Sequence, residues 1–254
     1  MIETEHAPAP YRPDQAPWGW REIAIVVFLT MVALVAVFTV LAFLLNVLGI
    51  DSDEAETDAV ASVALLLGQM VLDFAAVGVA AAFSLRKYGL RPSAWGLVRP
   101  PKLNIGLILL TLVLCFVALG VYRGVTVALG LEDLEPQSNV PTELFEHPAV
   151  VPLTLFLILA VAPFAEEMFF RGFIFHGMWS RIGFWPAAIG SGFFFSLIHV
   201  SSSDLIGLIV PFTIIGALLA WIVKRTGSLW NAIAVHFLFN AVGVTANLAQ
   251  VILR

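Results

Sequence analysis

The chemistry of this chain starts with two adjacent carboxylates inside an apolar stretch. Glu166 and Glu167 follow Val161-Ala162-Pro163-Phe164-Ala165, and Arg171 comes one helical turn after Glu167. An ionised side chain at the centre of a membrane helix costs about 2.5–3.5 kcal/mol on insertion scales, so such residues are functional candidates. Glu167 and Arg171 are spaced i,i+4 with the acid first, which favours an ion pair. Glu166 has no such partner and suits a general base.

Two histidines occur in similar apolar surroundings further along the chain. His199 follows Phe195 by one turn, and Asn240 follows His236 by one turn on the same helix face. An imidazole can bind a metal, move a proton or donate a hydrogen bond. Each histidine alone is more often a helix–helix contact. Together with the two glutamates they indicate a site, although Glu167 and Arg171 alone could be a buried pair that only fixes packing.

This set of residues fits the activation of water. Glu166 would deprotonate a water, and His236 and Asn240 would stabilise the oxyanion that forms from an amide. Glu166, His199 and His236 are equally candidate ligands of a divalent metal such as zinc. The chain has no His-Glu-x-x-His and no Gly-x-Ser-x-Gly sequence, which argues against a zincin helix and against a serine nucleophile. Gln69 and Asp73 are interpreted as a packing network.

The elements that must position these residues are membrane helices. Of the 254 residues, 60% are hydrophobic and 12% are charged, and the mean hydropathy is +0.95. Soluble domains are about 45–50% apolar and about 25% charged, so a soluble globular protein is excluded. A net charge of −5 gives no reason to expect a nucleic-acid partner.

We predict an all-α, polytopic helical bundle with about seven transmembrane helices and the catalytic core in the last four. Each candidate run is long and apolar: Ile23–Gly49, Ala59–Leu85, Leu103–Leu129, Val150–Phe170 (with helix continuing toward Trp179), Phe184–Val200, Leu205–Val223 and Leu229–Leu248. The predicted divisions are a disordered cytoplasmic tail (1–22), N-terminal helices and loops (23–148), the catalytic core (149–248) and a C-terminal tail (249–254).

Basic residues predict which side each loop faces. All of the 13 lysines and arginines except Arg123 and Arg254 fall on one side of the predicted bundle, and the opposite loops are acidic. The cytoplasmic side carries the excess of basic residues. We therefore predict a multi-pass protein of the cell membrane with a cytoplasmic N-terminus.

Helix length raises a geometric problem. At 1.5 Å per residue, His199 is about 27 Å along its run from Arg181, whereas His236 is about 15 Å from Arg225. The two imidazoles meet only if the fifth helix is tilted, bent or late to start.

Three motifs give the chain a resemblance to a known family. Glu166, Glu167 and Arg171 are similar to its Glu-Glu-x-x-x-Arg motif, Phe195 and His199 to Phe-x-x-x-His, and His236 and Asn240 to His-x-x-x-Asn. The chain resembles the CPBP (Abi) family, which includes type II CAAX prenyl endopeptidases and bacteriocin-immunity proteins.

The resemblance implies a membrane endopeptidase, with a glutamate or a metalloprotease mechanism. It implies Glu166 as the base and places His199, His236 and Asn240 in the site, with Glu167 beside them and Arg171 and Phe195 in support. The expected partners are a membrane protein or peptide substrate and the lipid bilayer. The alternatives are a non-catalytic immunity or partner-binding protein with the same fold, and a transporter or redox carrier that uses the paired histidines.

Overall fold

Seven helices in the described part of the chain correspond one to one with the seven apolar runs. The computed structural model describes residues 13–50, 58–98, 102–131, 134–135, 142–145, 147–200 and 207–253. We number the helices in chain order: α1 (Trp20–Val47), α2 (Ala59–Arg86), α3 (Ile105–Ala128), α4 (Val151–Ile182), α5 (Phe184–Leu197), α6 (Ile209–Thr226) and α7 (Leu229–Ile252).

The described helices confirm a polytopic membrane protein. Among the residues described, six helices are long and apolar enough to cross a bilayer, and α5 is a shorter apolar helix. Large apolar side chains remain exposed along α1 and α3, for example Phe28, Val35, Val113 and Val121. In a membrane these surfaces face lipid rather than water. Much of the predicted tail and of the acidic loops lies outside the described residues, so the sidedness of the protein stays a prediction.

Helix α4 lies at the centre of the bundle. It packs against α2, α5, α6 and α7, and it contains two π-helical segments, Leu157–Val161 and Met168–Phe175. A π-segment adds a residue to a turn, so it changes the direction of the side chains that follow. Glu166 and Glu167 lie in the short α-helical stretch between the two segments.

The length of α5 resolves the problem of depth. Its 14 residues span about 21 Å, which is less than the hydrocarbon core of about 30 Å. Gly183, with φ 80°, separates α5 from α4, and His199 lies in the turn just after α5 ends. A short helix therefore stops where its histidine can reach the side chains of α4 and α7.

The described part of the predicted disordered tail is ordered. Trp18 is fully buried, its ring stacks on Phe173 at 6.2 Å between centroids, and its indole Nε1 donates to the Phe173 carbonyl oxygen at 2.9 Å. Residues 1–12 lie outside the described residues. Near Trp18, burial of an indole and its hydrogen bond outweighs the local proline-rich composition, and the predicted tail over 1–22 stays a prediction.

Close contact between α5 and α6 gives a first testable prediction. A Cβ on Gly192 would collide with the Thr213 carbonyl oxygen, whereas a Cβ on Gly190 would meet only the flexible end of Met178. Gly192→Ala should therefore lower the free energy of unfolding by about 1–3 kcal/mol through overpacking. Thermal unfolding in detergent measures the effect, with Gly190→Ala as the matched control. Equal melting temperatures for the two variants would contradict the close helix contact.

Candidate active site

Three side chains from three parts of the fold meet at one point. Glu166 Oε2 lies 3.9 Å from His199 Nε2 and 3.9 Å from His236 Nε2. The Glu166 and His199 side chains are about one-seventh exposed, and His236 is 6% exposed. Glu166 Oε2 is buried and has no hydrogen-bond partner among the described residues.

The other nitrogen of each imidazole is already engaged. His199 Nδ1 lies 2.8 Å from the Phe195 carbonyl oxygen, which can only accept, so Nδ1 carries the hydrogen. His236 Nδ1 lies 3.0 Å from Glu167 Oε1 and donates to that carboxylate. In the neutral form of each ring, Nε2 therefore presents a lone pair to Glu166.

This arrangement has a chemical consequence. Two lone pairs and a carboxylate oxygen that face each other repel, because all three atoms are acceptors. The cluster is stable when a proton, a water molecule or a cation lies among the three atoms. The geometry therefore suits a group that takes up and releases a proton, or one that binds a small polar or cationic species.

A buried ion pair contacts the Nδ1 side of the His236 ring. Arg171 Nη1 lies 2.8 Å from Glu167 Oε1, and both side chains are fully buried. The i,i+4 spacing predicted this pair. Glu167 Oε1 thus accepts from both Arg171 and His236, so the carboxylate fixes the orientation of the imidazole and stabilises a positive charge on it.

Aromatic rings surround the charged groups and separate them from lipid. The Phe195 ring lies 4.6 Å from the His199 ring and 5.7 Å from the His236 ring, and the Arg171 guanidinium carbon lies 4.4 Å above it. Phe212 of α6 makes an edge contact with His199 at 4.9 Å. Sequence reasoning missed Phe212, because a phenylalanine in an apolar helix gives no signal of its own.

Asn240 makes a contact that the sequence analysis did not predict. Its Nδ2 donates to the Ile158 carbonyl oxygen at 2.9 Å. In a π-helical turn the Ile158 carbonyl would accept from residue 163, but Pro163 has no N–H. The amide of α7 thus satisfies a carbonyl that Pro163 leaves free. In a regular α-helix, Pro163 would instead leave the Leu159 carbonyl, one residue later, without a donor.

The candidate ligand atoms of the site are of types that bind zinc, but the distances between them are longer than in a zinc site. Two imidazole Nε2 atoms and one carboxylate are common zinc ligands, and their Nδ1 hydrogen bonds are the usual support for metal-bound histidines. Tetrahedral zinc with such ligands would separate them by about 3.4 Å, compared with 3.9 Å here. In the part of the chain that the structure describes, no group of three or more His, Cys, Asp or Glu forms a metal-holding cluster.

Comparison with known proteins points to the same part of the chain. Residues 148–242 match the family described as type II CAAX prenyl endopeptidase Rce1-like. The resemblance indicated by the three motifs is thereby confirmed for this segment. The division of the chain into tail, N-terminal helices and catalytic core stays a prediction.

Two proteins of Bacillus subtilis (strain 168) are similar in sequence. One, named "Putative membrane peptidase YdiL", is 31% identical over 101 residues, which cover 40% of this chain and 40% of that protein. The other, named "Uncharacterized protein YpbD", is 29% identical over 133 residues, which cover 48% of this chain and 66% of that protein. The chain thus spans less than two thirds of either relative. No solved structure matches it significantly.

Proposed function

We propose that this multi-pass membrane protein, which carries an Rce1-like segment at residues 148–242, is an intramembrane endopeptidase. It hydrolyses a peptide bond of a membrane-associated protein or peptide, and Glu166 activates the attacking water. The observation that carries the proposal is the meeting of Glu166 Oε2 with both imidazole Nε2 atoms at 3.9 Å inside a membrane bundle.

The proton balance of the cluster gives each residue a role. With a second proton on the His236 ring, at Nε2, Glu167 stabilises the imidazolium through Nδ1–H, and Glu166 remains an ionised base. Glu166 then takes a proton from water, and the resulting hydroxide attacks the peptide carbonyl carbon. Finally, Glu166 returns its proton to the leaving amine as the C–N bond breaks.

The oxyanion needs hydrogen-bond donors in the same place. The protonated Nε2 of His236 is one donor. The Asn240 amide has two N–H groups, and because one of them donates to the Ile158 carbonyl oxygen, the other can serve as the second donor. His199, held by the Phe195 carbonyl, forms the third side of the cluster. A bound zinc ion would instead be held by Glu166, His199 and His236, and would lower the pKa of a bound water.

Cleavage of defined peptides tests the proposal. The purified protein in detergent or vesicles should cut at least one member of a panel of membrane-spanning and lipid-modified peptides, with and without a prenylated C-terminal cysteine. Mass spectrometry should detect a new carboxyl end and a new amino end. An intact panel would contradict the proposal and favour a non-catalytic protein that binds a partner.

Metal removal distinguishes the two versions of the mechanism. We expect cleavage to survive treatment with a strong chelator, because the proton cluster needs no ion. Loss of cleavage on chelation and its return on addition of zinc would contradict that expectation and assign a metal to the same three residues.

A further inference from the structure

Helix α2 lies outside the family-matched segment, and one of its faces carries three polar residues and packs against α4. Ser62, Leu66, Gln69 and Asp73 follow each other at the i, i+4, i+7 and i+11 spacing of one helix face. Leu66 packs in one cluster with the apolar side chains Val150, Leu157 and Val161. The face that carries Asp73 is therefore the face that contacts the helix of Glu166.

Asp73 is a buried acid with one oxygen unused. The residue is 9% exposed, and Oδ1 accepts a hydrogen bond from Gln69 Nε2 at 2.8 Å. Oδ2 is buried and has no hydrogen-bond partner among the described residues, which is also the state of Glu166 Oε2. Asp73 belongs to the helix that packs against the stretch of α4 containing Glu166, so the two acids are close enough for their charges to interact. A buried acceptor without a partner is uncommon in proteins and calls for a physical explanation.

Packing alone does not explain the pair. Two carboxylates that feel each other's charge inside a membrane destabilise the fold unless something donates to both. A water molecule has two hydrogens and is held well by two or more polar partners. A water between the two helices would donate one hydrogen to each carboxylate and satisfy both free oxygens.

We propose that Asp73, held in place by Gln69, is a positioning residue of this site, where it accepts the second hydrogen of the water that Glu166 deprotonates. This inference rests on the proposed function. One O–H bond of the water breaks and its proton goes to Glu166. The other O–H bond stays intact and hydrogen-bonded to Asp73, so the oxygen lone pair faces the peptide carbonyl. Asp73 changes neither its charge nor its proton count.

The isosteric variant Asp73→Asn separates this role from packing. Asparagine keeps the volume and the Oδ1 acceptor for Gln69, but it replaces the free acceptor oxygen by an NH2 donor. We expect kcat to fall roughly 10- to 100-fold, as misplacement of a reacting group does, with KM unchanged within about twofold. A residue that only filled space would tolerate asparagine with no loss of kcat.

Two further variants complete the test. Ser62→Ala removes a buried polar atom from the same face of the same helix, three turns away, and should leave kcat unchanged. Gln69→Ala removes the hydrogen bond that holds Asp73 but keeps the carboxylate, so it should lower kcat by a smaller factor. Gln69→Ala still decides the question if Asp73→Asn fails to fold.

The outcomes distinguish this inference from the function on which it rests. A wild-type protein that cleaves while Asp73→Asn and Gln69→Ala keep the wild-type kcat would overturn the role of Asp73 and leave the endopeptidase intact. A rise in KM with kcat unchanged would also overturn it, because it would assign Asp73 to substrate binding. A wild-type protein that cleaves nothing would overturn both.

Discussion

Replacement of Glu166 by glutamine should abolish peptide cleavage and leave the protein folded. Glutamine has nearly the volume of glutamate, but its amide cannot accept the proton of water. Loss of a general base costs roughly 10²- to 10⁴-fold in rate. We therefore expect kcat of Glu166→Gln to fall by at least about 10²-fold. Removal of an unpartnered buried oxygen should not lower the melting temperature.

The control for this prediction is an acid outside the site. Glu135 lies in a loop segment after α3, and Glu135→Gln should cleave like the wild type. Residual activity of Glu166→Gln within about tenfold of the wild type, in a folded preparation, would show that Glu166 is not the base.

Replacement of Arg171 by methionine should give the largest loss of stability. The fully buried guanidinium contacts Glu167 at 2.8 Å and lies above the Phe195 ring. Methionine would leave the Glu167 carboxylate buried, with His236 as its remaining partner. Loss of one member of a buried pair costs about 3–5 kcal/mol, so the melting temperature should fall by on the order of 10 °C. Thermal unfolding in detergent measures this shift.

The double variant Arg171→Met with Glu167→Leu identifies the cause. Because no unpaired charge then remains, much of the lost stability should return, although His236 loses its support and cleavage should not recover. A double variant that is less stable than Arg171→Met alone would show that shape, rather than the buried charge, explains the effect.

The sequence predicted the helices and the local pairs well. The apolar runs are long, and a membrane leaves the backbone few alternatives to helix, so the seven runs and the seven helices agree closely. The pair of Glu167 and Arg171 follows from helix spacing alone. The family resemblance also came from the spacing within single helices.

Contacts between distant segments could not be predicted in the same way. The meeting of Glu166 with His199 depends on the short α5 and on two π-segments in α4, and no local pattern predicts a π-turn. The contact between Asn240 and the Ile158 carbonyl depends on the same irregularity. Burial of Trp18 depends on the shape of a surface formed by α4, which the tail sequence does not contain.

Asp73 shows how a correct pattern received an incomplete interpretation. The sequence analysis interpreted Gln69 and Asp73 as a packing network, and the structure shows a hydrogen bond between these two side chains of α2. Packing explained the presence of both polar residues, so no feature of the sequence pointed to a further role for Asp73. The free Oδ2 atom and the charge interaction with Glu166 become visible only when α2 and α4 lie side by side.

A double-variant comparison of cleavage rates tests the central claim most directly, namely that Glu166 and His236 act as one unit. The measurement is kcat for the wild type, Glu166→Gln, His236→Gln and the variant with both changes. When two residues act in the same proton-transfer step, replacement of either one removes that step. The second replacement then adds little further loss of kcat. We expect the double variant to be about as slow as the slower single variant. A double variant slowed by the product of the two single losses would contradict the account.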